Sequence, residues 1–95
     1  MSYVDLKNKT ILVTGAAGFI GSNLANRLFN DVEDVTVIGI DNMNDYYDVR
    51  LKEARLSELS AHPSFIFVKG SIADKDMVNK IFDQYRPQVI VNLAA

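Results

Sequence analysis

The chain has 95 residues, of which 48% are hydrophobic, and its formal net charge is −2 at pH 7. This slight acidity, with a pI near 5.2, argues against nucleic acid or an anionic membrane as the main partner. Cysteine is absent, which excludes disulfides and thiolate metal sites and fits a reducing compartment. Because the sequence has neither a long uncharged apolar stretch nor the apolar segment of a signal peptide, we expect a cytoplasmic protein without a membrane span.

An apolar run near the N-terminus ends abruptly in a glycine-rich turn. The first predicted strand is Thr10–Val13, and Gly15, Gly18 and Gly21 follow it at a fixed step of three. The pattern then becomes helical over Gly18–Asn30. A buried strand, a tight turn and a helix N-terminus bind a dinucleotide pyrophosphate, because the free N–H groups of the first helical turn and the helix dipole attract the anion.

Each glycine of this turn has a predicted structural role. Gly15 permits the sharp turn out of the strand. Gly18 lacks a Cβ and lets the backbone approach the phosphates, and Gly21 lets the helix lie close on the strand. The free N–H groups are expected roughly at Gly18 to Gly21. The alternative is that the glycines serve only a tight βα turn, although one glycine would suffice for that.

The rest of the chain alternates apolar runs with helical patterns. The predicted strands are Val35–Ile40, Phe65–Val68 and Val89–Leu93, and the predicted helices are Asp48–Ser60 and Asp74–Tyr85. Each strand is a continuous apolar run, as in a parallel sheet covered on both faces. The fourth strand would be interior in a full sheet, and in this sequence it is expected to be an exposed apolar edge. Right-handed crossovers then predict an α/β fold: the N-terminal half of a Rossmann-type doubly wound parallel sheet, with four strands in the order 3-2-1-4 and three helices.

The second strand leads into Asp41, twenty residues after Gly21. A carboxylate there accepts hydrogen bonds from the adenosine ribose hydroxyls and repels a 2′-phosphate, which favours NAD over NADP. Asn42 and Asn44 are candidates for further contacts to the ribose or adenine. Arg50 is the only nearby cation that we identify for a 2′-phosphate, so NADP is disfavoured and not excluded. The alternative for Asp41 is a solvated side chain at a strand end.

Four segments of the sequence, TGAAGFIG, the strand ending in IDN, KGSIAD and VNLAA, carry a family resemblance. Together they resemble the extended short-chain dehydrogenase/reductases, the NAD-dependent epimerase/dehydratase group. The stretch DNMNDYYDVRLKEARL, residues 41–56, is similar more specifically to the UDP-glucuronate 4-epimerases. The resemblance implies an NAD cofactor, a nucleotide-sugar substrate and a homodimer.

The resemblance also implies cofactor-binding residues along the carboxyl ends of the strands. They are Gly15, Ala17, Gly18, Phe19, Ile20 and Gly21 at the pyrophosphate, Asp41, Asn42 and Asn44 at the ribose, Ser71 and Ile72 at the adenine, and Leu93, Ala94 and Ala95 after the fourth strand. Ser71 stands where the family usually has Asp, and its hydroxyl can still accept from the adenine amino group, without the charge. Ser71, with Asp74 three residues later, is also a candidate cap for the last helix.

No catalytic residue is assigned within the sequence. The family's catalytic Tyr-x-x-x-Lys pair lies on a later helix, which places it beyond Ala95. The one match here, Tyr3-x-x-x-Lys7, precedes the first strand and is interpreted as chance. We therefore expect residues 1–95 to be the N-terminal part of an NAD-binding Rossmann domain, truncated after the fourth strand and inactive by itself.

Two further features have simple interpretations. His62 is the only histidine and has no clustered partner, so no metal site is predicted. The charged run that contains Lys52, Glu53, Arg55 and Glu58 is expected to be a solvated helix face.

For the whole protein the resemblance implies an epimerase that oxidises the sugar at C4, passes through a 4-keto intermediate and reduces it again from the opposite face. Three alternatives remain open at this point. Two are enzymes of the same family, a nucleotide-sugar 4,6-dehydratase and a carbonyl reductase. The third is a non-catalytic module that senses a dinucleotide with the same glycine loop.

Overall fold

The computed structural model describes residues 6–43 and 49–93. Strands and helices alternate along the chain as predicted, and their ends differ from the predicted ends by at most one residue. The elements are β1 (Thr10–Thr14), α1 (Phe19–Asp31), β2 (Thr36–Asp41), α2 (Val49–Leu59), β3 (Phe65–Lys69), α3 (Lys75–Tyr85) and β4 (Val89–Asn92).

The described strands form one parallel sheet in the order β3-β2-β1-β4. In the register of the sheet, Thr14 at the end of β1 lies beside Ile40 of β2 and Asn92 of β4, and Asp41 lies beside Lys69 of β3. The carboxyl ends of all four strands therefore meet along one edge. This confirms the predicted α/β fold of Rossmann type and its strand order.

The central strands divide the core into two layers. On one face, Ile11 and Val13 of β1 pack in a cluster with Leu28 of α1 and Leu59 of α2. On the other face, the central strands pack with Ile81 of α3. Two helices thus cover one side of the sheet and one helix covers the other, as right-handed crossovers require.

The edge strand β4 is less covered than the other three strands. Its burial alternates between half-buried and exposed residues, and the side chain of Ile90 is 53% exposed. The exposed apolar edge that the sequence predicts for the last strand is therefore confirmed, whereas the pattern of a strand covered on both faces does not hold for β4. The reason is that the sheet residues in the cluster covered by α3 come from the other strands and not from β4.

The start of α3 shows which side chain caps the helix. Asp74 is the N-cap, and its carboxylate accepts a hydrogen bond from the N–H of Met77 at 3.1 Å. Ser71 is not the cap. Its hydroxyl oxygen accepts from the N–H of Ala73 at 3.1 Å, in the turn that precedes the helix, because it lies three residues before the N-cap position.

Candidate functional site

The glycine loop leaves β1 in a turn that is fixed to the neighbouring strand. Gly15 has φ of 71°, a left-handed conformation that side chains disfavour. The N–H groups of Gly15 and Ala16 both donate to the carbonyl oxygen of Ile40 in β2, at 2.8 and 3.1 Å. The predicted sharp turn at Gly15 is therefore present, and the loop is attached to the end of β2.

Gly21 allows α1 to pack tightly against this loop. A Cβ at Gly21 would overlap the carbonyl oxygen of Gly15 and would lie 3.1 Å from the Cα of Ala16. The predicted close approach of the helix is confirmed, but its partner is the backbone of the glycine loop rather than the strand itself. The first turn of α1 consequently lies directly against the turn that ends β1.

The N-terminus of α1 exposes backbone N–H groups without a side-chain cap. Gly18 is the N-cap residue, no side chain of the described residues caps it, and the first turn contains no acidic residue. The N–H of Gly18 donates to Gly15 at 3.1 Å, and the N–H of Ser22 donates to Gly18 at 2.9 Å. The N–H groups of residues 19–21 lie between these two bonds, at the positive end of the helix dipole. The free N–H groups therefore start at Phe19 rather than at Gly18, and their binding of an anion stays a prediction.

Asp41 connects three parts of the fold and is only 5% exposed. One carboxylate oxygen, Oδ2, accepts from the N–H of Ala17 in the glycine loop at 3.0 Å. The other, Oδ1, accepts from the N–H of Met43 at 2.8 Å and from Nζ of Lys52 in α2 at 3.0 Å. The alternative of a solvated Asp41 is therefore wrong, because the burial is almost complete and both oxygens are hydrogen-bonded. Its predicted contact with a ribose stays a prediction.

Two cations of α2 belong to the site, which the sequence interpretation missed. Lys52 has a side chain 13% exposed, and Arg55 donates from Nη1 to the carbonyl oxygen of Ala17 at 3.2 Å. The expected solvated helix face is therefore wrong for these two residues, although Glu53 and Glu58 are exposed. Lys52 and Arg55 lie on the same side of α2, because residues three positions apart are neighbours on a helix surface.

The nearest cation to Asp41 is thus Lys52, and not Arg50, which is exposed. A signal for this was present in the sequence. Lys52 and Arg55 share helical spacing with the core residues Leu56 and Leu59, so they flank the buried stripe of α2 and not its outer face.

A second connection joins β1 to β4 at the same edge. The hydroxyl of Thr14 donates to Oδ1 of Asn92 at 2.6 Å and accepts from the N–H of Leu93 at 2.9 Å. Thr14 is 3% exposed. It therefore holds Leu93 beside the glycine loop. Thr14 opens the TGAAGFIG segment, but its bonds to β4 were not predicted from the sequence.

Together these elements enclose a cleft of about 310 Å³ at the carboxyl ends of the strands. Its walls are Thr14, Gly15, Gly18, Ile40, Asp41, Asn42, Lys52, Gly70, Ser71, Ile72 and Leu93. Phe19, Ile20 and Gly21 border an adjoining depression next to Gly15 and Leu93. The predicted cofactor residues from four separate segments of the chain thus lie around one cleft.

The remaining predicted residues lie elsewhere. Ala17 is fully buried beneath the loop and contributes its N–H to Asp41. Asn44, Ala94 and Ala95 lie outside the described residues, as does Tyr3.

Within the described ranges, no cluster of three or more potential metal-binding side chains occurs. Across the same part of the chain, no helix has the length and apolar character to cross a membrane.

Comparison with known proteins identifies the family. The sequence pattern of the family described as GDP-mannose 4,6 dehydratase matches residues 12–95. The chain belongs to this family. The resemblance to NAD-dependent epimerases and dehydratases is thereby confirmed.

Individual relatives agree with this assignment. Protein CapI of Staphylococcus aureus is 47% identical over 85 residues, which is 90% of this chain and 25% of CapI. The chain thus spans about a quarter of the length of that relative.

Two solved structures are similar to the fold. A dTDP-glucose 4,6-dehydratase from Bacillus anthracis, in complex with NAD, has a TM-score of 0.80 and 33% identity, and the match covers 92% of this chain and 27% of that chain. A UDP-glucuronic acid 4-epimerase from Bacillus cereus, also in complex with NAD, has a TM-score of 0.76 and 35% identity, with 90% of this chain and 27% of that chain covered.

Proposed function

We propose that this chain is the NAD-binding portion of a nucleotide-sugar epimerase that acts on UDP-glucuronate at C4. The observation that carries the proposal is the order of chemical groups along the cleft. Because the strands lie in the order β3-β2-β1, the backbone N–H groups of α1 after β1 stand at one end, the Asp41 carboxylate in the middle, and Ser71 and Ile72 after β3 at the other end. This order matches the pyrophosphate, ribose and adenine of a dinucleotide.

The pyrophosphate end fits an anion in three respects. The helix start has neither a side-chain cap nor an acidic residue, so its dipole is available to a negative charge. Gly15 and Gly18 line the cleft without side chains. Phe19 and Ile20 are 69% and 67% exposed, which suits a surface that a bound cofactor covers, because large exposed apolar groups often mark a binding site.

The ribose and adenine end fits the other half of the cofactor. The Asp41 carboxylate disfavours a 2′-phosphate by charge, which supports NAD over NADP. Ser71 offers a polar hydroxyl and Ile72, at 42% exposed, an apolar surface for the base. The relatives of the family that were solved with NAD support the same cofactor.

Bound NAD would accept a hydride from the sugar C4. The residues of this chain would bind and orient the dinucleotide, and Asp41 would fix both the ribose and the glycine loop. We assign no proton acceptor to residues 1–95, so the acid–base pair of the whole protein would come from another segment. We further propose a homodimer, on the family resemblance alone, and a cytoplasmic location, which the cysteine-free composition favours.

The second candidate is a nucleotide-sugar 4,6-dehydratase, which the TM-score of 0.80 with the Bacillus anthracis dehydratase supports. Incubation of the full-length protein with UDP-glucuronate and with UDP-glucose separates the two candidates. Liquid chromatography coupled to mass spectrometry is expected to show a second peak of unchanged mass, separated from UDP-glucuronate, for the epimer. Loss of one water from UDP-glucose would instead identify a dehydratase. NAD binding without turnover of any nucleotide sugar would favour the sensing module.

Cofactor binding itself is tested with Gly18→Val in the full-length protein. A branched side chain at Gly18 would occupy the approach of the phosphates, and we expect the Kd for NAD to rise by about a hundredfold or more, which corresponds to roughly 3 kcal/mol. Isothermal titration calorimetry measures this, and Asn23→Val, at an exposed position of α1, is the matched control. Unchanged NAD affinity in a folded Gly18→Val variant would contradict the proposal.

A further inference from the structure

The Asp41–Lys52 ion pair differs from the other ion pairs of the described residues by its burial. Nζ of Lys52 lies 3.0 Å from Oδ1 of Asp41, and the two side chains are only 13% and 4% exposed. The pairs Lys7–Glu33 and Arg27–Asp31 have side chains between 55% and 78% exposed. Charges withdrawn from water interact more strongly and are less screened by salt.

This ion pair also lies in the wall of the cleft, beside the position proposed for the ribose. Asp41, Lys52 and Asn42 all border the cleft. The structural connection of α2 to the glycine loop is supplied separately by Arg55, which bonds Ala17. Asp41 is held by two backbone N–H groups in addition to the lysine. The charge of Lys52 is therefore not the sole support of the local fold.

A dinucleotide that enters this cleft meets a carboxylate and an ammonium in contact, and not a lone carboxylate. The ribose of NAD carries a neutral 2′-hydroxyl, which leaves the ion pair undisturbed. The 2′-phosphate of NADP is repelled by Asp41 and attracted by Lys52, so the balance of the two charges sets the discrimination.

We propose that Lys52 is a specificity-determining residue that acts with Asp41, and that the two opposite charges together set the preference between NAD and NADP. This inference rests on the proposed NAD-binding function. It assigns opposite effects to the two members of the pair. Removal of the positive charge leaves Asp41 uncompensated and strengthens the rejection of NADP. Removal of the negative charge leaves the charge of Lys52 in place and weakens that rejection.

The test compares Kd values for NAD and NADP by calorimetry in the full-length protein. Lys52→Met is expected to raise the ratio of Kd for NADP to Kd for NAD by about tenfold, and Asp41→Asn is expected to lower it by about tenfold. A change of about tenfold is the expected effect of removing one charge close to the 2′-phosphate when solvent partly screens the interaction. Lys52→Arg keeps the charge and is expected to keep the ratio. Lys80→Met, which removes an exposed lysine of α3, controls for net charge.

The results distinguish a failure of the proposed role of Lys52 from a failure of the proposed NAD binding. A ratio that Lys52→Met leaves unchanged, or moves in the same direction as Asp41→Asn, overturns the role of Lys52 while the NAD-binding proposal stands. Wild-type protein that binds neither dinucleotide overturns both. If Lys52→Met does not fold by circular dichroism, Lys52→Gln is measured in its place, and an unchanged ratio for that variant overturns the inference equally.

Discussion

The two helices beside the cleft build its walls by different means. α1 faces the cleft with backbone, through N–H groups at its start and glycines that remove side chains from the approach, while the side chains of Phe19 and Ile20 border the adjoining depression. α2 contributes the tips of long side chains, with Lys52 on Asp41 and Arg55 on the carbonyl oxygen of Ala17. The position of a backbone wall is fixed by the fold, whereas the position of a side-chain wall also depends on the direction in which each side chain extends.

This difference explains why one wall is apparent in the sequence and the other is not. A backbone site requires residues without side chains at fixed places, and three glycines at a constant step are rare enough to be informative. A cation in a helix has many possible partners, and most charged helical residues are solvated. Sequence patterns therefore reveal α1 more readily than α2.

The largest effect is expected where the backbone wall is tightest, at Gly21. Its Cβ would overlap the carbonyl oxygen of Gly15, and backbone cannot move aside as a flexible side chain can. We expect Gly21→Ala to lower the free energy of unfolding by about 2 kcal/mol or more, since overlap with backbone costs at least the upper end of the roughly 1–3 kcal/mol that is typical of overpacking. This loss exceeds the gain of roughly 1 kcal/mol that alanine brings to a helix interior. Urea denaturation measures the change.

The matched control for Gly21→Ala is Asn23→Ala, on the same helix at an exposed position. It is expected to leave the free energy of unfolding within about 0.5 kcal/mol of wild type. If Gly21→Ala were as stable as this control, α1 would not depend on the close approach, and the contrast between the two walls would fail at its strongest point.

Most of the fold was predictable from the sequence, because the spacing of apolar residues indicates which side chains are buried. The apolar runs of β1 and β2 are buried on both faces, and the α3 stripe that contains Met77 and Ile81 packs as its spacing indicates. The exposure of Ile90 followed from the place of β4 at the edge of the sheet and not from its apolar run, because an apolar run does not reveal whether an element packs on both of its faces.

The site residues were predictable only where a backbone conformation or a position at a strand end requires a particular residue type. Gly15 needs its positive φ, and Asp41 stands at the end of β2 by its spacing from the glycines. The partner of Asp41 was not predictable, because the α2 residue that reaches it depends on how α2 packs. The hydrogen bond from Thr14 to Asn92 joins residues 78 positions apart, a pairing that only the strand order brings together.

The next effect is smaller and compares the starts of α1 and α3. α3 uses a side-chain cap, Asp74, where α1 has none. We expect Asp74→Ala to cost about 1 kcal/mol of stability, the usual value of an N-cap, and to leave NAD affinity unchanged. Thermal unfolding and calorimetry measure the two quantities. A large loss of NAD affinity would mean that α3 shapes the cleft as directly as α1 does.

The smallest effect is expected from Arg55, the outer residue of the side-chain wall. Its Nη1 bonds the carbonyl oxygen of Ala17 at 3.2 Å, and its guanidinium lies 5.9 Å from the centre of the Phe19 ring. We expect Arg55→Met to cost about 0.5–1 kcal/mol, because it loses one hydrogen bond and a partly exposed cation–π contact while its apolar stem remains. Urea denaturation measures this cost.

Arg55→Met is expected to weaken NAD binding a fewfold, as measured by calorimetry. The loss is small because the backbone hydrogen bonds from Gly15 and Ala16 to Ile40 still hold the loop in place. Glu58→Gln, at an exposed position of α2, is the control and should change neither quantity. A loss of NAD affinity in Arg55→Met as large as that in Gly18→Val would show that the side-chain wall fixes the loop. The glycines alone would then be insufficient to form the anion site, because their geometry would depend on a cation supplied by the next helix.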